Sequence, residues 1–252
     1  MDYGLSGKNV LVTGSTKGLG EAIVRVLAAE GANVIVSGRN KEEADAVASR
    51  IREEYAVQAV GIAADLGDKG AADKLFDESI AALGSLDILV NNAGIWPTAY
   101  VREMAPEDFE KTLYVNLEGP FILSKRMVNH LCDWEARGKI IQIVSQAAFH
   151  GSTTGHAHYA ASKAGLVTFM RSLAREVAGY GINVNAVAPG MVATPMTKEA
   201  LEKKGDYYNS RIPIGRVARP EEVAYCVAFL ASDKADYLTG ITIDATGGML
   251  MR

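Results

Sequence analysis

Thr13-Gly14-Ser15-Thr16-Lys17-Gly18-Leu19-Gly20 is the stretch on which the reading of this chain turns. It follows a short apolar run, Asn9–Thr13, and opens an amphipathic one, Gly18–Glu30. Glycine lets a strand turn sharply into a helix and lets backbone approach a phosphate closely. The helix that follows turns its free N-terminal amides and the positive end of its dipole toward that anion. A glycine triplet alone often marks only a turn; between a first strand and the helix it opens, it predicts a pyrophosphate cradle. Gly14, Ser15, Thr16, Lys17, Gly18, Leu19 and Gly20 are therefore candidate cofactor contacts.

Outward from that loop, strand-like runs and helical patterns alternate. The runs are Asn9–Thr13, Asn33–Ser37, Gln58–Ala63, Asp87–Asn91, Lys139–Ser145, Asn183–Val187 and Ile241–Asp244. Between them lie Gly18–Glu30, Lys41–Glu54, Lys69–Leu83, Pro106–Leu131, His158–Ala178 and Pro220–Ala231. Each run is nearly continuous in apolar residues, which suits strands covered on both faces. The alternation predicts an α/β fold: one doubly wound Rossmann-type domain spanning residues 1–252, its parallel seven-stranded sheet flanked by helices. Gly31 stands where a helix C-terminal glycine belongs, and Pro106 and Pro220 open helices where a missing N–H costs little. The polar stretch Lys198–Pro213 reads either as a substrate lid, over about 195–213, or as a plain surface helix.

Composition narrows the partners. The chain has 252 residues, 48% of them hydrophobic, and a net charge of −4 with both signs interspersed. There is no basic stripe for nucleic acid. No run reaches the roughly 18 apolar residues of a membrane span. Met1–Gly7 lacks the apolar core of a signal peptide. Cys132 and Cys226 have no CxxC spacing, so no metal site is expected, and reduced thiols point to the cytoplasm.

The second run ends Ser37-Gly38-Arg39-Asn40, without the acid that would accept ribose hydroxyls. Arg39 and Lys17 are placed to hold a 2′-phosphate by charge-assisted bonds, which favours NADP(H); each alone would read as a solvated surface cation. Asp65-Leu66 suits an adenine contact or a helix N-cap. Asn91-Asn92-Ala93-Gly94 closes the fourth run with small residues that let the chain pass a cofactor, or simply turn. Tyr159 and Lys163 share one helix face at i and i+4. A free tyrosine has a pKa of about 10. A neighbouring ammonium and an oxidised nicotinamide would both favour the phenolate, bringing this proton donor toward working pH. Ser145, ending the fifth run, offers a hydroxyl for a substrate oxygen. Asn116 in the long helix Pro106–Leu131 is a poor helix former there, either functional or merely exposed.

Together these residues resemble the short-chain dehydrogenase/reductase family over the whole chain. The loop Thr13–Gly20, Asp65, Asn91–Gly94, Asn116, Ser145, Tyr159-x-x-x-Lys163 and Pro189-Gly190 followed by Thr194 occur in the family's order. The resemblance implies that Asn116, Ser145, Tyr159 and Lys163 are a catalytic tetrad: Tyr159 exchanges the proton, Ser145 orients the substrate oxygen, Lys163 binds the nicotinamide ribose and lowers the tyrosine pKa, and Asn116 holds a relay water. It implies cofactor contacts at Asn92, Ala93, Gly94, Pro189 and Gly190, with Val192 and Thr194 fixing the carboxamide. Gly215–Glu222 is similar to the branch of 3-oxoacyl-acyl-carrier-protein reductases and glucose dehydrogenases, which implies a homotetramer.

Three activities follow from the resemblance. The first is interconversion of a small or medium carbonyl compound and its alcohol. The second is reduction of a 3-oxoacyl group on acyl carrier protein, and the third a non-catalytic NADP(H) sensor, against which the intact tetrad argues. Trp96, Ala147, His150, His156, Met191 and Tyr207 are substrate candidates, in a pocket suited to a small ring or sugar-like compound. The connection Gly151–His158 is one residue longer than in the acyl-carrier reductases, and Thr246 stands where an aspartate is usual. Those reductases carry docking arginines where this chain has Ala136 and Tyr180, with Arg137 and Lys139 as the available substitutes.

Overall fold

The computed structural model describes residues 2–152 and 154–251. The reading of the N-terminus at Met1, and of the long connection at Thr153, falls outside those residues. Strands β1 (Asn9–Val12), β2 (Asn33–Gly38), β3 (Ala59–Ala63), β4 (Ile88–Asn91), β5 (Gly138–Ile143), β6 (Ile182–Pro189) and β7 (Thr242–Ala245) form one sheet in the order β3-β2-β1-β4-β5-β6-β7. Every pairing is parallel. The expected seven-stranded doubly wound architecture is what the chain adopts.

Alternation along each strand feeds two cores. Val10, Val12, Val34 and Val36 face helices α1 (Gly18–Ala29), α2 (Lys41–Tyr55) and α9 (Pro220–Ala231). Leu11, Ile35, Leu89 and Ile140 face α3 (Ala71–Leu83), α5 (Gly119–Asp133) and α7 (Ala157–Val177). The winding reverses between β1 and β4, so a crevice opens beyond their C-terminal ends. Among the described residues no helix is long and apolar enough to cross a membrane.

Three local departures from the periodicity have physical causes. The stretch Pro106–Leu131 is not one α-helix: α4 (Pro106–Leu113) passes through a π turn, Tyr114–Glu118, into α5. Pro120 has no N–H to return to the carbonyl of Asn116 four residues back, and the Gly119 N–H bonds the Tyr114 carbonyl, five back. Helix α3 begins at Ala71, two residues later than Lys69, because Gly70 precedes it in the left-handed region at φ 82°. The segment read as lid or surface helix contains α8 (Lys198–Arg211), which follows the short α6 (Ala147–His150) and α7 in chain order. It breaks helical geometry at Lys204 and buries none of its residues.

Candidate active site

The crevice is built by cross-bonding the ends of β1 and β4. The Thr13 hydroxyl accepts from the amides of Asn92 at 3.0 Å and Ala93 at 2.9 Å. Asn92 Nδ2 donates back to the carbonyls of Thr13 at 2.9 Å and Gly14 at 3.0 Å. Gly14 and Gly18 hold φ of 62° and 60°, where a side chain is strained. A Cβ on Gly20 would overlap the Gly14 carbonyl and stand 2.6 Å from Asn92 Nδ2. Lys17 is the N-cap of α1 and its side chain makes no cap bond, so among the described residues the helix's first amides are left uncapped at the crevice. That is the cradle a pyrophosphate needs.

Not every loop residue is free for a ligand. Ser15 Oγ donates to the Val12 carbonyl at 2.7 Å and accepts from the Ser37 amide at 2.9 Å, stitching the loop to β2. The methyl of Thr16 packs on Gly38, where a Cβ would come within 2.5 Å. Leu19 packs against the first core. Beyond the end of β2, Arg39 is exposed, as is Lys17, and neither has an ion-pair partner among the described residues. Asn40 instead caps α2, its Oδ1 accepting from Glu43 N at 2.8 Å. Asp65 is no helix cap, since α3 starts at Ala71; its Oδ1 accepts from Gly67 N at 2.9 Å, while Leu66 is buried in the core. After β6, Pro189-Gly190 leads to buried Val192 and then Thr194, which packs over the glycine loop: a Cβ on Gly18 would meet Thr194 Cβ at 3.3 Å.

The four residues of the expected tetrad come to the end of β5. Lys163 is 4% exposed, and its Nζ donates to the Ile143 carbonyl at 2.8 Å. Burial pulls its pKa down to about 8. The Tyr159 hydroxyl lies beside the Ser145 side chain, with Lys163 Nζ 5.9 Å from the tyrosine ring centre. Burial pushes the Tyr159 pKa up, and the Ser145 side chain only opposes it. Ser145 Oγ also accepts from the Ala147 amide at 3.2 Å. Asn116 is fully buried, not exposed. Its Oδ1 accepts from Ile95 N at 2.8 Å, and its Nδ2 donates to Ile95 O at 3.0 Å and to Ser162 Oγ at 3.1 Å.

Of the substrate candidates, Trp96 and His156 join this group. Their rings stack at 4.4 Å with 24° between planes, and Trp96 lies edge-on to Tyr159 at 6.5 Å. Ala147 takes part through its amide. His150 is exposed at the end of α6, and Met191 contributes a backbone bond to Ala218. Tyr207 spends its ring on its own helix, against Tyr208 at 5.4 Å and under the Arg211 guanidinium at 5.2 Å.

The sequence reading missed three contributors. Ser162, inside the Tyr-Lys motif itself, donates to the Tyr159 carbonyl at 2.7 Å and anchors Asn116. Gln146, next to Ser145, holds the Met249 sulfur at 3.8 Å. Thr246 acquires a role: its hydroxyl accepts from Leu250 N at 3.2 Å and donates to Leu250 O at 3.3 Å, closing the tail that carries Met249.

Comparison with known proteins agrees with this geometry. The family model described as enoyl-(acyl carrier protein) reductase matches residues 14–250. A 3-oxoacyl-[acyl-carrier-protein] reductase of Aquifex aeolicus is 41% identical over 249 residues, 99% of this chain and 100% of that protein. Its Escherichia coli counterpart is 39% identical over 245 residues, covering 97% and 98%. Among solved structures, a short-chain type dehydrogenase/reductase from Mycobacterium marinum superposes with TM-score 0.93 at 30% identity, covering 100% of this chain and 98% of that one. A glucose/ribitol dehydrogenase-type protein from Brucella melitensis reaches 0.91 at 33% identity, both chains covered completely. The fold and these likenesses define an oxidoreductase of CH–OH and carbonyl groups. The chain belongs to the short-chain dehydrogenase/reductase family.

Proposed function

We propose that this protein is an NADP(H)-dependent oxidoreductase that interconverts a ketone or aldehyde and its alcohol, with Tyr159 as the acid/base. The observation that carries the reading is the Tyr159–Ser145 hydroxyl pair backed by buried Lys163. Two hydroxyls converging on one point hold a single carbonyl oxygen, which suits C=O reduction better than the C=C reduction in the family model's title. When bound, the nicotinamide supplies the hydride in reduction and receives it in oxidation.

The uncapped amides of α1 and Gly14–Gly20 would hold the pyrophosphate, Arg39 and Lys17 the 2′-phosphate, and Asp65 and Leu66 the adenine edge. Asn92, Ala93, Gly94, Pro189 and Gly190 would border the ring and ribose, with Val192 and Thr194 at the carboxamide. Tyr159 delivers its proton to the substrate oxygen that Ser145 orients. Lys163 holds the ribose and supplies the charge that stabilises the phenolate left behind. Asn116 fixes the turn beside them and Gly94: a Cβ on Gly94 would stand 3.1 Å from Asn116 Oδ1 and 3.6 Å from Lys163 Nζ. Helix α8 serves as the lid. Both cysteines are free, in keeping with a cytoplasmic enzyme. Phe121 on α5 and Phe169 on α7 meet edge-on at 5.8 Å on the outer face, which supports assembly as a homotetramer.

A second reading, reduction of 3-oxoacyl groups on acyl carrier protein, is favoured by the relatives' names. The surface speaks against it. Lys139 is nearly buried and bonded to Asp236 and Asn183, and Arg137 also pairs with Asp236. Lys139 is no free cation for an acidic partner, and Arg137, whose side chain is 72% exposed, is left as the single candidate of the two. The test is turnover with NADPH of simple ketones, 3-oxoacyl thioesters and the same acyl group on carrier protein. Ketone turnover with no carrier-protein advantage supports the first reading; a large advantage that high salt removes would replace it with the second.

A further inference from the structure

The substrate side of the site holds one rigid aromatic surface. His156 is 5% exposed and its Nδ1 lies 2.8 Å from the Pro97 carbonyl. A carbonyl only accepts, so Nδ1 carries the proton and the imidazole plane is pinned. Trp96 stacks on that plane at 4.4 Å, and the following Pro97 keeps its backbone extended. Trp96 is thus held from beneath and from along the chain, with its ring 6.5 Å from that of Tyr159. Gln146, the residue after Ser145, holds the Met249 thioether through its Nε2. Thioethers make favourable contacts with aromatic edges.

We infer that the stacked Trp96–His156 pair is the substrate-selecting wall, and that it takes a carbonyl compound whose reacting carbon bears a flat, unsaturated ring. The inference rests on the reading of Tyr159 as proton donor to the substrate oxygen, since that places the carbonyl beside Trp96. A pinned indole offers its surface without losing rotamer freedom on binding, and a planar ring matches it over a larger area than a puckered or linear chain. Trp96 and His156 are specificity-determining residues in this account, with no part in proton transfer.

The test compares kcat/KM for acetophenone and for cyclohexyl methyl ketone, which have the same skeleton, in wild type, Trp96→Leu and Trp96→Tyr. Taking the variant's aryl-to-saturated ratio over that of wild type cancels the two ketones' intrinsic reactivities. Trp96→Leu is expected to lower this ratio about tenfold, the size of one aromatic pairing, and Trp96→Tyr to restore most of it. A ratio unchanged within about twofold in Trp96→Leu would overturn the inference while leaving the reductase reading intact. Binding of 1-phenylethanol and 1-cyclohexylethanol to the NADP⁺-loaded protein gives a readout independent of turnover. Trp96-dependent preference for the aryl alcohol with no turnover of any ketone would sink the reductase reading alone; no such preference would sink the inference.

Discussion

Asn116 grips Ile95 through both ends of its side-chain amide, Oδ1 accepting at 2.8 Å and Nδ2 donating at 3.0 Å. The pairing ties the π turn to the chain leaving β4, and so sets where Gly94 and Trp96 stand relative to Tyr159. Asn116→Ala strips both Ile95 backbone groups of their partner. Each part-buried group left unpaired costs about 1–3 kcal/mol. The melting temperature is therefore expected to fall by roughly 2–4 °C per kcal/mol lost, with activity falling alongside. Asn116→Asp keeps an acceptor for Ile95 N but loses the donation to the Ile95 carbonyl and buries a charge, so it too is expected to melt below wild type. Calorimetry showing either variant as stable as wild type would remove this role.

The winding of the sheet was legible because its signals are local: apolar runs such as Asn33–Ser37, the glycine loop, and helix-opening prolines. Asn116 stood out as misplaced in a helix, but its reason did not. One extra residue in a turn barely disturbs a 3.6-residue period, so the π turn at Tyr114–Glu118 read as continuous helix. Contacts between distant segments were equally silent. Trp96 and His156 could be suspected one by one, yet nothing in the sequence says that their rings stack. The Thr246 hydroxyl, which closes the tail, and Gln146, which holds Met249, belong to the same class.

Lys163, drawn down to about 8 by burial, predicts a pH profile. Below that value the side chain is charged and can hold the ribose and stabilise a phenolate. As pH rises through about 8 the proton and both interactions are lost. The profile of kcat/KM for NADPH reports groups of the free enzyme, so it should fall above that pH. In Lys163→Arg, whose guanidinium stays charged, the fall should move beyond the accessible range. A profile whose alkaline limb is identical in both proteins would contradict the assignment.

Arg39 stands exposed beyond β2, without an ion-pair partner among the described residues, next to Asn40, which is occupied in capping α2. Arg39→Ala should weaken NADPH binding while leaving NADH nearly unchanged. The loss of a charge-assisted bond, about 1.5–3 kcal/mol, corresponds to roughly 10–150-fold in Kd. Titrations in which wild type binds NADH as tightly as NADPH would refute the NADP(H) reading.

Phe121 is 45% exposed on the outer face of α5. If that face pairs with another copy, Phe121→Glu buries a charge in the interface and should shift light-scattering mass from tetramer to smaller species without unfolding the chain. A monomeric wild type at micromolar concentration would rule out the tetramer.

Proton delivery by Tyr159 is the centre of the account, and a single-turnover experiment reaches it without interference from product release. Wild type and Tyr159→Phe are loaded with NADPH, mixed with a ketone that wild type reduces, and followed by loss of the cofactor's fluorescence. Phenylalanine keeps the ring that packs against Trp96 and removes only the hydroxyl beside Ser145. NADPH affinity should hold, while the rate of oxidation falls by about 10²–10⁴-fold, the usual worth of a general acid. A Tyr159→Phe protein that oxidises bound NADPH at near wild-type rate would contradict it.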